Sequence, residues 1–518
     1  MNLGVEIRKG AYYDSVTLML ISKEVKKMDG VKEALVGMGT DLNKELASNL
    51  KMNDDRIKEL SANDFFIAVL SDHSNILEKV CQKVDELLTQ KKQSSDGAYT
   101  PPTLDSAIKH APDSNLVLIS LPGKYASAEV KKALENDLHV MLFSDNVSVE
   151  DEKQLKEFAR EKGLLMMGPD CGTAIINQVP LAFANVIRKG DIGIIGASGT
   201  GTQEVSVLIH KLGAGVSQVI GTGGRDLKKE IGGIMMMEAI KALGEDENTK
   251  VIVLISKPPA PEIAEQVLQL AKQTQKPVVV DFIGGDMEMI RKYGLLPGFT
   301  LEDTAHKAVA LSKNQEIKDM MGFSTCEKEI DGMIQQEVSK MKSNQKYLRG
   351  LYTGGTLCDE TMKMLSADFG DIYSNIPLKS EFALTNVFKS VKHTCIDLGD
   401  DAFTVGKPHP MIDTSSRQDR LKAELEDEEV AVVLMDFVLG YGSNPDPVGE
   451  MLPVIEAGKR YRSEKGLSTC IVASICGTDQ DPQNALEQEK RLRNAGVIVM
   501  PSNAQAVRVV GKILKEIA

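Results

Sequence analysis

The sequence predicts an α/β protein that contains several three-layer domains built on parallel sheets, and two patterns support this prediction. Short apolar runs that end in glycine or proline turns alternate with amphipathic helices along most of the 518 residues. Runs such as Val251–Ile255 and Val430–Met435 are rich in valine, isoleucine and leucine, as in parallel strands buried on both faces. At roughly 150 residues per domain, the length predicts three or four domains.

Composition excludes several classes of protein. The formal net charge of −13 leaves no basic surplus with which to displace counterions from a nucleic acid. The apolar runs are far shorter than the roughly 20 residues of a membrane span, and the charged start MNLGVEIRKG differs from a signal peptide. Seven cysteines without a CxxC pair predict reduced thiols, so neither disulfides nor a zinc site are expected. We therefore expect a cytoplasmic protein without nucleic-acid or membrane partners.

Shifts in composition divide the chain into five segments. The stretch Lys91–Pro102 (KKQSSDGAYTPP) has the charge, serine, glycine and paired proline of a linker. The predicted segments are a small α/β domain (1–95), two β–α–β steps of a nucleotide-binding type of sheet (103–189), an α/β module (190–312), a polar and largely helical connector (313–346), and a second α/β module of similar layout (347–518).

The richest glycine turn, Gly196–Thr202 (GASGTGT), follows a predicted strand and precedes a helix. Its glycines allow backbone N–H groups to converge, and Ser198 and Thr200 add hydroxyl groups, which suits a phosphate or a carboxylate. A tight turn with an N-capped helix is the alternative. No GK[ST] follows and the spacing is not GxGxxG, so the turn does not indicate ATP or NAD binding.

Other strand ends carry polar turns of the same kind. Arg225, in the turn Ile220–Asp226, is suited to bidentate binding of an anion, although a salt bridge with a neighbouring acid is the alternative. Gly440–Asn444 and Gly477–Gln483, which contains Thr478, are the remaining turns in this group, together with Thr353–Thr356.

One histidine differs from the other six in its surroundings. His409 lies between two prolines and near Asp400, Asp401 and Asp413, so the loop favours proton transfer, with a purely structural turn as the alternative. The other histidines, which lie in helical or strand stretches without polar neighbours, are expected to serve packing: His73, His110, His139, His210, His306 and His393.

Several of these turns resemble motifs of succinyl-CoA synthetase. Gly168–Gly172 (GPDCG) resembles the GPNCPG turn of its α subunit, Gly196–Glu204 (GASGTGTQE) resembles SRSGTLTYE, and Ile220–Asp226 resembles GIGGD. Asp397–Asp400 resembles the LDVGGG segment of the β subunit, and Leu439–Asn444 its FGGI turn. The combination GPDCGT, GASGTGxQE and LGDDxFTxGxPHPMID is similar to the FdrA family of acyl-CoA synthetase-like proteins.

The resemblance implies a Rossmann-type, CoA-binding-like domain over 103–189 and two flavodoxin-like, ligase-type domains over 190–312 and 347–518. The synthetases hold a phosphate between the N-termini of two helices, which here would begin near Gly199-Thr200 and Gly442-Ser443. Glu204 would match the acid that steadies their phosphohistidine. The segment that carries this histidine in the synthetases has none here, because the chain reads Ile283–Met289 (IGGDMEM).

FdrA-type proteins are associated with allantoin and purine breakdown, as one subunit of an oxamate carbamoyltransferase that acts with two other proteins. The resemblance therefore implies a transferase subunit, also expected to form a homo-oligomer, that interconverts oxalurate plus phosphate with oxamate plus carbamoyl phosphate. Phosphate would be a substrate, no cofactor is required, and CoA is an additional candidate ligand.

Each candidate residue takes a role in this reaction. Arg225 would bind the substrate carboxylate, His409 would transfer a proton, and Cys171 is either a covalent nucleophile or a buried structural thiol. The predicted phosphate-binding residues are Ser198, Gly199, Thr200, Gly442 and Ser443, and the predicted substrate-binding residues are Gly168, Asp170, Cys171, Gly223, Gly354, Gly355, Asp400 and Thr478.

Two alternatives stay open at this point. The first is an acyl-CoA synthetase-like activity that transfers an acyl group between phosphate and CoA. The second is a non-catalytic subunit that binds an anion and orders its partners.

Overall fold

The computed structural model describes residues 2–11, 13, 15–61, 64–73, 76–93, 101–370, 372–404 and 407–518. They form two compact units, one made of Met1–Thr103 with Phe403–His409 and the other of Leu104–Ala402 with Pro410–Ala518. Residues 94–100, the centre of the predicted linker, lie outside the described residues. Among the described residues, none of the helices combines the length and apolar character that a membrane crossing requires.

The N-terminal unit is built on a three-stranded antiparallel sheet in the order β1-β3-β2. Its strands alternate with helices, as expected of the small α/β domain that the sequence predicts for this part of the chain. The central strand is almost completely buried because helices cover it. The elements are β1 (Asn2–Arg8), α1 (Ser15–Lys26), β2 (Val31–Met38), α2 (Asp41–Asn49), α3 (Asp55–Lys58), β3 (Phe65–Ser71) and α4 (Ile76–Gln93).

The second unit begins with the two predicted β–α–β steps, which form a parallel sheet in the order β4-β5-β6. Its elements are α5 (Leu104–His110), β4 (Leu116–Ile119), α6 (Gly123–Glu135), β5 (His139–Leu142), α7 (Val149–Glu161) and β6 (Met166–Met167).

A seven-stranded sheet follows, in the order β13-β12-β11-β9-β10-β7-β8. Its central strands are parallel, as predicted, while the short hairpin β7–β8, which was not predicted, pairs antiparallel at one edge. The elements of this first sheet module are β7 (Thr173–Ile176), β8 (Val179–Ala182), β9 (Lys189–Gly196), α8 (Gly199–Lys211), β10 (Val216–Gly221), α9 (Ile234–Glu245), β11 (Val251–Ser256), α10 (Pro261–Gln273), β12 (Val278–Phe282), α11 (Met287–Lys292), β13 (Leu296–Pro297) and α12 (Leu301–Ser312).

The second sheet module has five parallel strands in the order β15-β14-β16-β17-β18. The preceding connector contains the helix α13 (Glu327–Val338) but is otherwise irregular, so the prediction of a largely helical segment is wrong. The module consists of β14 (Tyr347–Tyr352), α14 (Gly355–Phe369), a 3-10 turn (Ser380–Phe382), β15 (Thr394–Asp397), α15 (Asp401–Thr404), α16 (Ser415–Glu426), β16 (Val430–Val438), α17 (Pro447–Glu464), β17 (Cys470–Cys476), α18 (Ala485–Asn494), β18 (Ile498–Met500) and α19 (Asn503–Ile517).

The two sheet modules share one apolar core. Buried side chains of α8, α14 and α19, including Val205, Leu357 and Val510, belong to a single cluster that draws on both sheets. Removal of this much apolar surface from water is the main force that joins the modules.

Buried carboxyl groups lie inside this contact between the modules. The backbone N–H of Asn503 donates to Glu204 (3.0 Å), and its side-chain amide donates to Glu360 (2.7 Å). Glu360 also accepts the backbone N–H of Leu301 (2.8 Å). Burial raises the pKa of Glu360 to about 8 and that of Asp281 to about 7, so these groups retain protons that exposed carboxyls lose.

We expect Glu360→Gln to flatten the pH dependence of the free energy of unfolding. The unfolded chain loses the Glu360 proton near pH 4.5, whereas the folded protein keeps it up to about pH 8. Stability therefore falls as the pH rises through this window, and the amide has no proton to lose. Urea unfolding across the window measures the slope. Glu288→Gln, at an exposed carboxylate, is the control, and equal slopes for wild type and Glu360→Gln would contradict the prediction.

Candidate functional site

The first turns of α8 and α14 meet where β9 and β14 end. Ser198 caps α8 by accepting the N–H of Gly201 (3.1 Å), and its hydroxyl also hydrogen-bonds the hydroxyl of Thr356 on α14. A Cβ atom on Gly354 would lie 2.6 Å from Thr200, so glycine is needed for this approach. We call Ser198–Gly201 together with Gly354–Thr356 the helix junction.

The helix junction is suited to an anion. The first N–H groups of a helix have no partner within the helix. Among the described residues, the N–H groups of Gly199, Thr200, Gly355 and Thr356 donate to no protein acceptor. Because the positive ends of two helix dipoles also meet here, the site favours a negatively charged ligand such as phosphate.

A buried aspartate holds the turn that leads into α14. The Asp436 carboxylate accepts the N–H and the hydroxyl of Thr353 (2.9 and 2.8 Å) and the N–H of Gly354 (3.1 Å). Arg417 donates to the same carboxylate at 3.3 Å. These bonds use the N–H groups just before the helix, and so fix the direction in which α14 begins.

Two ionisable residues, one at the end of a strand in each sheet module, face α14. Lys257, directly after β11, forms an ion pair with Asp359 of α14 (2.6 Å). Asp397, the last residue of β15, has one carboxyl oxygen so close to Gly355 that a side chain there would not fit. Its other oxygen accepts the N–H of Gly399 (2.9 Å), while burial raises its pKa to about 7.

The predicted substrate residues Gly168, Asp170 and Gly223 come together beside the helix junction. Gly223 has a positive φ of 87° and packs against the carbonyl of Pro169, which leaves no room for a side chain. The pKa of Asp170 is raised to about 6 by burial and by Asp145, against the opposing effect of Arg225. A Cβ atom on Gly199 would lie 4.0 Å from Gly172, so the 168–172 turn adjoins α8.

Arg225 is already engaged within the protein. Its guanidinium donates to the carbonyl of Val147 (2.8 Å) and pairs with the buried Glu152 (2.9 Å). Lys156, fully buried, bridges Glu152 (2.9 Å) and Asp226 (2.8 Å). Arg225 therefore forms the salt bridge that was the alternative to anion binding, and its partner is Glu152.

Cys171 and Glu204 are both buried in the protein core. Burial raises the pKa of the Cys171 thiol to about 12, so the thiolate that a nucleophile requires is absent at neutral pH. Glu204 accepts the N–H of Asn503, the first residue of α19, and joins the two modules.

Gly442 and Ser443 do not begin a helix, which corrects the expectation for these residues. The helix after β16 begins at Pro447, and the helix that meets α8 is α14. The 441–443 turn instead contacts the segment after β8, where the Tyr441 N–H donates to the Ala184 carbonyl (2.8 Å). Thr478 contacts the same segment through its hydroxyl, which donates to the carbonyl of Val186 (3.0 Å).

His409 belongs to the N-terminal compact unit, in the segment Phe403–His409. Burial lowers its pKa to about 4, so its imidazole is neutral at neutral pH and is a poor proton donor. Asp400 caps the short helix α15 by accepting the N–H of Ala402 (3.1 Å).

Three other histidines have polar partners, which corrects the expectation that they serve packing alone. Each accepts a backbone N–H through Nδ1: His139 from Leu165, His210 from Arg188, and His393 from Leu348.

Four residues at the site were not predicted as functional: Lys257, Thr356, Asp359 and Asp397. Thr356 and Asp397 lie within motifs that the sequence does display, a TGGT turn and an IDLGD segment at strand ends. Lys257 and Asp359 have no such signal, because their pairing depends on how the two modules pack together.

The fold and the helix junction together define a CoA-ligase-like protein. Three family models match the chain: CoA-ligase over residues 351–513, CoA binding domain over 187–284, and AllF, heavy metal-associated domain, over 1–102. In the described part of the chain, no three metal-ligating side chains are grouped to hold an ion.

The family of this chain is shown by its high sequence identity to a relative of nearly equal length. The YahF protein of Escherichia coli K12 is 47% identical over 504 residues, which cover 97% of either chain. The chain belongs to the FdrA family, together with YahF. The α 2 subunit of the ADP-forming succinate–CoA ligase of Archaeoglobus fulgidus is 28% identical over 185 residues, or 34% of this chain and 62% of that subunit.

Two solved structures match most of this chain, at low sequence identity and with low TM-scores. The dinucleotide-forming acetyl-coenzyme A synthetase 1 of Ca. Korarchaeum cryptofilum, in complex with phosphate and ADP, is 15% identical with a TM-score of 0.34, and the match covers 82% of this chain and 86% of that one. PH0766 from Pyrococcus horikoshii OT3 is 14% identical with a TM-score of 0.32, and the match covers 79% and 86%.

We expect Gly354→Ala to destabilise the protein by about 1–3 kcal/mol, because the new methyl group must push Thr200 and α8 away. The backbone itself tolerates alanine, since φ at this position is −119°. Gly332→Ala, in α13 with open space around the glycine, is the control and should be neutral or slightly stabilising. Urea unfolding compares the variants, and equal stability of Gly354→Ala and wild type would contradict the contact.

Proposed function

We propose that this chain is the phosphate-binding subunit of a carbamoyltransferase, which acts in the cytoplasm with partner subunits. The reaction is the interconversion of oxalurate plus phosphate with oxamate plus carbamoyl phosphate. The observation that supports it is the helix junction, where unengaged N–H groups of Gly199, Thr200, Gly355 and Thr356 converge with two hydroxyl groups.

In the proposed reaction, a phosphate oxygen attacks the carbamoyl carbon of oxalurate. A C–O bond to phosphate forms, the C–N bond to oxamate breaks, and a proton is delivered to the departing nitrogen. The N–H groups of the first helical turns neutralise phosphate and the oxyanion of the tetrahedral intermediate. Such preorganised donors contribute roughly 3–4 kcal/mol each where they have been removed by mutation.

Lys257 is the proposed partner of the substrate carboxylate. Arg225 is occupied by Glu152 and by the Val147 carbonyl, whereas the Lys257 side chain is 53% exposed beside α14. A flexible ammonium on a partly exposed stem can contact a second carboxylate while it keeps its ion pair with the buried Asp359.

The absence of a phosphohistidine is consistent with this chemistry. The Ile283–Met289 segment contains no histidine, and the Gly196–Thr202 turn lacks the lysine of a nucleotide-binding loop. Carbamoyl transfer between phosphate and an amide nitrogen requires neither a nucleotide nor a phosphorylated enzyme.

A second candidate is acyl transfer between phosphate and CoA. It is favoured by the match of residues 187–284 to the CoA binding domain. It uses the same anion site and differs in requiring that CoA bind tightly.

We expect Thr356→Val to lower the affinity of the full chain for inorganic phosphate about tenfold, because one hydroxyl hydrogen bond to a charged group contributes about 1.5 kcal/mol. Isothermal titration calorimetry with phosphate measures this. Thr469→Val is the matched control, because its hydroxyl has no partner among the described residues. Equal affinity in Thr356→Val and wild type would contradict the site.

The reaction itself is tested with the chain and its partner subunits. Oxamate and carbamoyl phosphate should yield phosphate, and Thr356→Val should slow the release. Tight CoA binding with no such release would favour the second candidate. Full activity of a variant that no longer binds phosphate would indicate a non-catalytic scaffold.

A further inference from the structure

Asp397 is a carboxyl group at the helix junction that no step above uses. Its backbone is fixed on both sides by Asn375, whose side-chain oxygen accepts the Asp397 N–H (3.0 Å) and whose amide donates to the Asp397 carbonyl (2.9 Å). The side chain therefore projects from the end of β15 toward Gly355, the first residue of α14. This places a carboxyl oxygen next to the N–H groups that are proposed to bind phosphate.

The Asp397 carboxyl is not neutralised by an ion pair in the part of the chain that the structure describes. Oδ1 accepts the N–H of Gly399, and the adjacent cation, Lys257, pairs with Asp359. Oδ2 is left to exchange a proton with a ligand at the helix junction. A carboxylate that only repelled phosphate would weaken this site, whereas a carboxyl that carries a proton can donate a hydrogen bond to the bound anion.

We propose that Asp397 carries the proton in the carbamoyl transfer, an inference that rests on the proposed function. In the phosphate complex Asp397 starts as the protonated carboxyl, and a phosphate oxygen attacks the carbamoyl carbon. Asp397 gives its proton to the oxamate nitrogen as the C–N bond breaks, and its carboxylate then takes the proton that HPO₄²⁻ brought in. One proton moves from phosphate to nitrogen, no proton is gained or lost overall, and Asp397 ends in its starting state.

The charged groups that face Asp397 suit this role. Burial, followed in smaller measure by Asp400 and Asp436, raises its pKa, while Lys257 acts in the opposite direction, and the balance lies at about 7. A group that both accepts and donates a proton is most effective when its pKa lies near the working pH. His409, with a pKa lowered to about 4, is poorly matched to the donor step.

The first test is Asp397→Asn in the complex with partner subunits. We expect kcat to fall by about 10²–10⁴-fold, while the dissociation constant for inorganic phosphate stays within about threefold of wild type, because the asparagine oxygen still accepts the Gly399 N–H. Asp368→Asn, which removes an exposed carboxylate paired with Lys515 near the other end of α14, is the control and should keep the wild-type kcat.

The second test needs no turnover and begins with the wild-type chain. Phosphate titrations in buffers of different ionisation enthalpy, above pH 7, report the protons taken up on binding. The dianion should raise the affinity of Asp397 for a proton, so wild type and Asp368→Asn should take up more protons than Asp397→Asn.

The outcomes separate the two proposals. Wild-type turnover in Asp397→Asn, or equal proton uptake in Asp397→Asn and wild type, would overturn the role of Asp397 and leave the carbamoyltransferase assignment standing. A wild-type complex without any release of phosphate from carbamoyl phosphate would overturn the proposed function, and the catalytic role of Asp397 with it. Both proposals would be supported if Asp397→Asn had a low kcat and lost the proton uptake while Asp368→Asn behaved as wild type.

Discussion

The contact between the first turns of α8 and α14 is the constraint on which the rest of this structure depends. Two helix N-termini repel each other electrostatically, since the positive ends of their dipoles meet. The repulsion is overcome by the apolar core that both sheets share and by the hydroxyl pair Ser198–Thr356. Glycine at position 354 allows the approach, and Asp436 fixes the direction from which α14 begins.

Burial raises the pKa of carboxyl groups in two parts of this molecule, where the carboxyls serve different purposes. Deep in the contact between the modules, Glu360 accepts two hydrogen bonds, from the backbone N–H of Leu301 and the side-chain amide of Asn503, and so helps to orient α12 and α19. Closer to the helix junction, Asp397 has a single donor and a raised pKa. The same desolvation thus stabilises protonated acids in both places, while the number of donors distinguishes a structural carboxyl from one that is available to a ligand.

Much of the fold could be predicted from the sequence, but the pairing of helices could not. Parallel strands buried on both faces produce valine and isoleucine runs, and Gly196–Thr202 marks the start of α8. The sequence contains several similar turns at strand ends, and which of them meets α8 is decided by packing between residues more than 150 positions apart. Gly442 and Ser443 satisfy the same local pattern as Gly354 and Gly355, so local chemistry cannot distinguish them. His409 stands out in the sequence because several acids lie near it, but burial lowers the pKa of its imidazole to about 4.

The irregular stretch between α12 and α13 is a place where we expect the protein to tolerate a break in the polypeptide chain. It contributes no strand to either sheet, and the Glu204–Asn503 contact between the modules lies outside it, although Ser324 in this stretch also hydrogen-bonds Gln505 of α19. The covalent link between the two sheet modules therefore acts mainly by keeping them at a high local concentration. A chain divided there into two polypeptides retains the shared apolar core as the surface on which the halves recognise each other, so we expect the two pieces to reassemble.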